Sequence, residues 1–128
     1  MNRLIVPGLT MLAGAVIGAT AVNGLRAQGS GAGAYAIVDI SKISNPDVFK
    51  TLLPKTGAAT AAFKGTNVAV TQNIVALDGT PPARFVIIAF DSLDTAKAWY
   101  NSPAEAEINT IRKNSTDSRA FIVDGKLP

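Results

Sequence analysis

Residues 84–91 read Arg-Phe-Val-Ile-Ile-Ala-Phe-Asp, and residues 92–100 follow at once with Ser-Leu-Asp-Thr-Ala-Lys-Ala-Trp-Tyr. The first stretch predicts a β-strand and the second predicts a helix. Side chains alternate between the two faces of a strand. One face of this strand carries Phe85, Ile87 and Ala89, and the other carries Val86, Ile88 and Phe90. Because both faces are apolar, the strand belongs in the middle of a sheet that is covered on both sides.

The chain before this strand supplies another strand and an interrupted helix. Residues 35–40 alternate as a strand does, with one fully apolar face. A helix is predicted to begin after Asn45, which is a good N-cap residue, with Pro46 at the first helical position. Pro54 and Gly57 interrupt its apolar stripe. We therefore expect a kinked helix or two shorter ones.

The rest of the chain supplies further extended segments and a second helical region. Residues 67–77 are predicted to be extended and to end in an Asp-Gly turn. The helix after the central strand is capped by Asp91 or Ser92 and restarts at residues 102–105. The Ser-Pro-Ala-Glu pattern there is a capping box with proline at the first helical position. The last strand is predicted over residues 118–123.

The element order is therefore strand, helix, strand, strand, helix, strand. It predicts an α+β fold of the ferredoxin-like βαββαβ type, with one four-stranded antiparallel sheet and both helical regions on the same face. In the last helix, the buried stripe is expected to be Ala104, Ile108 and Ile111. The uncovered sheet face would leave a large apolar surface in water, which soluble proteins avoid. We therefore predict a homodimer in which two sheets pack face to face, a dimeric α/β barrel.

The composition excludes several kinds of chemistry. The 128 residues are enough for one domain, and they contain no cysteine and no histidine. The chain therefore lacks a thiol nucleophile, a thiolate metal ligand and an imidazole base. We expect neither a metal site nor a cofactor. Only +1 of the formal charge of +3 remains beyond residue 28, which is too little for a surface that binds nucleic acid.

The first residues have the pattern of a targeting segment. Residues 1–28 carry a basic side chain at Arg3, continue with an apolar run over 4–22 and contain small residues that suit cleavage. We predict an export signal that sends the protein to the periplasm or outside the cell. The alternative is an uncleaved anchor in the inner membrane, and only then would the membrane be a partner. Residues 29–33 are predicted to be a linker and 34–128 the folded domain.

Three stretches carry a resemblance to a known family. They are Tyr-Ala-Ile-Val-Asp at 35–39, Phe-x-x-Leu-Leu at 49–53 and, most specific, the run from Phe90 to Pro103. Together they resemble the domain-of-unknown-function 1330 (DUF1330) family of small bacterial proteins in the dimeric α/β-barrel superfamily. The resemblance covers residues 35–124 and implies a ferredoxin-like protomer and a dimer. The chain departs from the family pattern after Pro103, where Ala-Glu-Ala replaces the usual acidic and aromatic residues.

Asp39 is the candidate catalytic residue. It lies on the first strand among apolar neighbours. If it points into a pocket, desolvation raises its pKa and suits it to proton transfer. The alternative is a carboxylate bonded to the backbone or to an arginine.

Five more side chains are candidates for ligand binding. Tyr35, Trp99 and Tyr100 are candidates for lining a ligand cavity. The alternative for them is packing beneath a helix and at the dimer interface. Arg84 and Arg119 each begin a strand and are candidates for a bidentate contact with an anionic ligand. The alternative for them is an ion pair with an acid on a neighbouring strand.

Three functions remain open at this point. The first is an exported homodimer that binds a small molecule between its sheets. The second is a cofactor-independent enzyme, monooxygenase-like or isomerase-like, of the dimeric α/β-barrel superfamily; it rests on fold analogy alone. The third is an interaction module without a ligand.

Ser102 and Glu105 are expected to form the capping box of a helix. Ser102 is not expected to be a nucleophile, because the chain has no histidine to activate it.

Overall fold

A computed structural model of the chain describes residues 33–125. The predicted export signal and most of the predicted linker lie outside these residues. The elements in chain order are β1 (Ala34–Ile43), α1 (Pro46–Lys50), α2 (Leu53–Ala61), β2 (Thr66–Thr71), β3 (Arg84–Phe90), α3 (Leu93–Tyr100), α4 (Pro103–Ser115) and β4 (Thr116–Asp124). The four strands pair antiparallel in the order β2-β3-β1-β4. This arrangement confirms the predicted ferredoxin-like fold. Among residues 33–125, no helix has the length and apolar character needed to span a bilayer.

The first helical region forms two short helices, as its sequence predicts. The Asn45 side chain accepts a hydrogen bond from the backbone N–H of Val48, and Pro46 occupies the first turn of α1. The chain then begins a new helix, α2, with Pro54 in its first turn. Proline suits that position because the first helical N–H groups have no partner within the helix.

The N-cap of α3 is Ser92 rather than a neighbouring aspartate. The Ser92 hydroxyl oxygen accepts a hydrogen bond from the backbone N–H of Thr95 at 3.0 Å. Asp91 is exposed, so of the two expected cap residues the helix uses Ser92. Serine satisfies one of the four unpaired N–H groups at a helix start, as aspartate would have done.

One face of the sheet packs against the helices through two clusters of buried apolar side chains. The first cluster lies under α3 and contains Ala34, Ala36, Ile88, Phe90, Ala96 and Trp99. The second lies under α1, α2 and α4 and contains Ile40, Phe49, Leu52, Ala59 and Ile108. These two clusters are the protomer's core.

The other face of the sheet carries no helix within the described residues. Ile37 at its centre pairs with Ile87 on one side and Phe121 on the other. Phe121 is 40% exposed and Val123 is 38% exposed. We call this surface, which also carries Tyr35, Asp39, Phe85 and Arg119, the open sheet face. The helices therefore cover a single face of the sheet, as the sequence predicts.

Helix α4 buries a different stripe from the expected one. The expected residue Ala104 is exposed and Ile111 is half-buried. The buried residues of α4 are Glu105, Ile108, Asn109, Arg112 and Ser115. The apolar pattern misses this face because four of its five residues are polar. Buried polar groups need hydrogen-bond or ion-pair partners, which come from the protein itself or from a bound molecule.

Candidate functional site

A cavity of about 120 Å³ lies between the helices and the sheet. We call it the helix–sheet cavity. Its walls come from both core clusters, with Ile88 and Trp99 from the first and Ile40, Phe49 and Ile108 from the second. It is therefore formed within one protomer, on the face opposite the open sheet face. From the sequence we expect a ligand between the two sheets of a dimer, which is a different location from this cavity.

The helix–sheet cavity has charged groups as well as apolar walls. The charged side chains that line it are Arg84 of β3 and Glu105 and Arg112 of α4. Ligand sites in proteins commonly combine an apolar wall with a few convergent polar groups. The cavity has this composition.

Glu105 reaches the cavity because its side chain is not used in the helix cap. Ser102 caps α4 as predicted, since its oxygen accepts the Glu105 backbone N–H at 3.3 Å. The reciprocal half of a capping box is not formed, because the Ser102 backbone N–H donates to the Trp99 carbonyl at 3.1 Å instead. The Glu105 carboxyl group is thus free to face the interior, and the residue is only 6% exposed. Its expected role as half of a capping box is wrong.

Burial changes the protonation of Glu105. Desolvation raises the pKa of its carboxyl group from 4.5 to about 7, and the Arg112 guanidinium opposes this rise. Within residues 33–125, no group donates a hydrogen bond to the carboxylate. A carboxyl group that titrates near neutral pH can both accept and donate a proton under ordinary conditions.

Arg112 is buried with neutral partners. It is 5% exposed, and it donates from Nη1 to the Ser118 hydroxyl at 2.7 Å and from Nη2 to the Asn109 side-chain oxygen at 3.2 Å. Both partners help to fix the direction of the guanidinium. Neither partner carries a charge. A buried cation is normally paired with an anion.

Trp99 forms the wall of the cavity nearest α3 and is 3% exposed. Its ring lies 5.1 Å from that of Phe90 and 6.1 Å from that of Tyr100, centroid to centroid. Its indole N–H has no hydrogen-bond partner among the described residues. A second, apolar space of about 220 Å³ lies between α3 and strands β1 and β4, where Trp99 and Tyr100 both line it. Trp99 therefore borders both spaces.

The remaining predicted site residues divide between the two faces of the sheet. Arg84 lines the helix–sheet cavity, with its guanidinium carbon 5.8 Å from the centroid of the Phe49 ring. Tyr35, Asp39 and Arg119 lie on the open sheet face, where Arg119 Nε donates to Asp39 Oδ2 at 3.1 Å. This is the ion-pair geometry given above as the alternative for Asp39 and Arg119. The structure therefore groups Arg84 with Trp99 and separates both from Asp39.

Two residues at the site have no counterpart among the sequence-based candidates. Glu105 and Arg112 are seven positions apart, with Ile108 between them on the same helix face. That spacing was the available signal, but Glu105 fits the pattern of a capping box and nothing in the local sequence singles out Arg112. Within residues 33–125, no cluster of three or more acidic side chains is placed to hold a metal ion.

Comparison with known proteins identifies a family and a fold. The family described as "Domain of unknown function (DUF1330)" matches residues 33–126. No curated protein matches the chain.

Solved structures with the same fold include the following three. A protein of unknown function from Rhodopseudomonas palustris is 16% identical with a TM-score of 0.56, over 75% of this chain and 85% of that one. A dimeric ferredoxin-like protein of unknown function from Thermobifida fusca is 18% identical with a TM-score of 0.56, over 73% and 92%. SnoaB, a cofactor-independent oxygenase from Streptomyces nogalater, is 14% identical with a TM-score of 0.52, over 74% and 94%. At such identities the likeness concerns the fold alone.

Proposed function

The chain belongs to the DUF1330 family, and we propose that it binds a small, mainly apolar molecule in the helix–sheet cavity. This proposal rests on one observation: three charged side chains line an otherwise apolar cavity. Two of them, Glu105 and Arg112, are at least nine-tenths buried. Buried charges destabilise a fold unless something pairs with them. A site that serves only folding would more simply be filled with apolar side chains. A ligand that uses these groups accounts for their presence.

The size of the cavity limits the ligand. An apolar protein cavity of roughly 150 Å³ holds one benzene molecule. The helix–sheet cavity, at about 120 Å³, is slightly smaller. The ligand is therefore a molecule of up to about one ring, or a larger one that extends through an opening.

The test of binding uses the single tryptophan of the chain as its reporter. Trp99 lines the cavity, so a bound molecule changes its fluorescence. The full-length protein is titrated with a set of one-ring and branched-chain compounds, and each hit is repeated with two Val→Phe variants. Val86→Phe fills the cavity and is expected to abolish binding; Val75→Phe, at a position 80% exposed, is the matched control and keeps it. A hit that survives Val86→Phe binds elsewhere and contradicts the proposal.

The protein is further proposed to act as a homodimer through its open sheet face. The face is apolar in its central row, and its large side chains at Phe121 and Val123 are about 40% exposed. Soluble monomers rarely leave so continuous an apolar surface in water. Two sheets can bury such faces against each other at a spacing of about 10 Å. The Thermobifida fusca neighbour is dimeric, which supports this assembly.

Catalysis without a cofactor is the second candidate, and Glu105 favours it. A buried carboxyl group with a pKa of about 7 is suited to general acid–base work near neutral pH. The likeness to a cofactor-independent oxygenase is compatible with such chemistry on this fold. Once a ligand is known, Glu105→Gln separates the candidates. Loss of turnover with binding retained makes the protein an enzyme, and binding without any turnover in the wild type makes it a binding protein.

The place of action is proposed to be outside the cytoplasm. Residues 1–28 have the pattern of an export signal. Fractionation of the cells that produce the protein, followed by N-terminal sequencing, tests this. A soluble extracytoplasmic form that begins between residues 20 and 34 is expected. An intact Met1 in the inner-membrane fraction would instead identify an anchor.

A further inference from the structure

Within the part of the chain that the structure describes, the guanidinium of Arg112 takes part in no ion pair. Its two hydrogen bonds go to the Ser118 hydroxyl and to the Asn109 amide oxygen, which are neutral. Among residues 33–125, the ion pairs are Lys55 with Glu107 and Asp39 with Arg119, and Arg112 takes part in neither. A guanidinium has five N–H donors, of which these bonds use two. The other three N–H donors of Arg112 form no hydrogen bond with the described residues, and the Arg112 side chain lines the helix–sheet cavity.

Glu105 forms no ion pair with Arg112, although the guanidinium charge acts on its carboxyl group from a distance and lowers its pKa. It precedes Arg112 by seven residues, or about 10 Å along the helix axis, and no ion pair joins the two. Burial raises the pKa of Glu105 to about 7, so its carboxyl group is largely neutral below that pH. The other charged group at the cavity is Arg84, which stacks over the Phe49 ring and is also in no ion pair of the described residues. The polar groups from α2 and β2, Thr56, Thr60 and Asn67, are uncharged.

We propose that the ligand of the helix–sheet cavity is a small organic monocarboxylate, with its carboxylate on Arg112 and an apolar body against the core clusters. This inference rests on the proposed binding function and gives that function a ligand class. A carboxylate matches the planar fork of a guanidinium and forms two parallel hydrogen bonds with it. The cavity holds about one ring or a short branched chain, so the body is an aromatic ring or a branched alkyl group. Trp99 lines the same cavity, and its buried indole N–H has no hydrogen-bond partner among the described residues.

The test compares acids with amides of the same shape by isothermal titration calorimetry on the full-length protein. The probes are 3-methylbutanoate and benzoate, each beside its amide. Each acid is expected to bind at least about tenfold more tightly than its amide, a free-energy difference that one charge-assisted bidentate contact supplies. Arg112→Met is expected to remove this preference while Lys113→Met, an exposed neighbour, keeps it.

The outcomes separate this inference from the proposed function. If acids and amides bind equally, a ligand occupies the cavity but the carboxylate assignment is wrong. If neither class binds, the inference fails; binding of other compounds that Val86→Phe blocks would still support the proposed function. An acid preference that survives Arg112→Met places the carboxylate elsewhere and overturns the inference.

A second variant keeps the test decisive if Arg112→Met does not fold. Glu105→Gln removes the only acidic side chain among the described residues that line the cavity. At about pH 8, where the wild-type carboxyl group is ionised and repels an anion, the variant is expected to bind the acids several-fold more tightly than the wild type. At about pH 5.5 the two proteins are expected to bind alike. If the wild type and Glu105→Gln bind the acids equally at both pH values, the ligand carboxylate does not bind where we propose.

Discussion

Glu105 and Arg112 lie two turns apart on the buried face of α4, and no ion pair joins them. Together with Ile108 between them, they form the α4 side of the helix–sheet cavity. One carboxyl group with a raised pKa and one guanidinium with neutral partners are thus held on a single rigid helix. This relationship is the basis of the proposed function, because both groups are incompletely paired where a small molecule would lie.

Glu105 is expected to make the folded protein less stable as the pH rises. Its pKa is about 7 in the folded protein and 4.5 in an unfolded chain, so the folded state binds the proton more tightly. Stability therefore falls as the pH rises from about 4.5 to 7, and the full penalty remains above pH 7. Glu105→Gln is expected to stabilise the protein at about pH 8 by about 1–2 kcal/mol, allowing for partial solvation, and to have no effect at about pH 4.

Urea unfolding of wild type and variant across this range measures the difference. Glu107→Gln is the matched control, because Glu107 is exposed and pairs only with Lys55 at the surface. That variant is expected to change the free energy of unfolding by no more than about 1 kcal/mol, without the same rise between pH 4.5 and 7. A pH-independent effect of Glu105→Gln would mean that the folded protein does not raise the pKa of Glu105.

The open sheet face is expected to be the dimer interface. Phe121→Asp places a charge in the middle of that face, which should convert the dimer to a monomer because an unpaired charge in an apolar interface is costly. Sedimentation velocity on the full-length protein reads the mass. Ala104→Asp adds the same charge at an exposed site on the helix layer and should leave the dimer intact. A wild type that sediments as a monomer at micromolar concentration would refute the interface.

Ser102 is expected to stabilise α4 and the turn before it. Its hydroxyl oxygen accepts the Glu105 N–H, and the same hydroxyl donates to the Trp99 carbonyl at 2.7 Å. Ser102→Ala removes both bonds and should lower the free energy of unfolding by about 1 kcal/mol. Thr110→Ala, which removes only a surface bond to the Ala106 carbonyl, should change stability much less. Equal effects of the two variants would argue against a capping role.

Asp39 is expected to have no part in ligand binding at the helix–sheet cavity. It lies on the opposite face of the sheet and pairs with Arg119, whose side chain is 75% exposed. Such a pair contributes at most about 1 kcal/mol. Asp39→Asn should therefore leave the affinity for any cavity ligand within about twofold, as measured by Trp99 fluorescence. A large loss of affinity would place the ligand on the open sheet face.

The fold could be predicted from sequence because short local patterns indicate where most of its strands and helices begin and end. The central strand at 84–90 is apolar on both faces, Asn45 and Ser102 mark helix starts, and Pro54 divides the first helical region. Each of these signals depends on neighbours within a few residues. The element order then indicated the βαββαβ arrangement, whereas strand order and register came from the structure.

The site could not be predicted in the same way because its side chains are defined by tertiary packing. Glu105 fits the local pattern of a capping box, and only the direction of α4 against the sheet shows that its carboxyl group is buried. No local pattern singles out Arg112, and only the structure shows that Ser118 and Asn109 bond to its buried guanidinium. Trp99 and Arg84 were identified from their residue types, but Asp39 was grouped with them although it lies on the other face.

The most direct test of the central claim is a nitrogen–proton correlation NMR spectrum of the full-length protein during titration with a ligand. The chain has one tryptophan, so a single indole N–H signal reports on the cavity wall. We predict that this signal moves together with the amide signals of Val86 and Ile108, while those of Asp39 and Arg119 on the open sheet face stay in place. Movement confined to Asp39 and Arg119 would put the ligand between two sheets and would contradict the account.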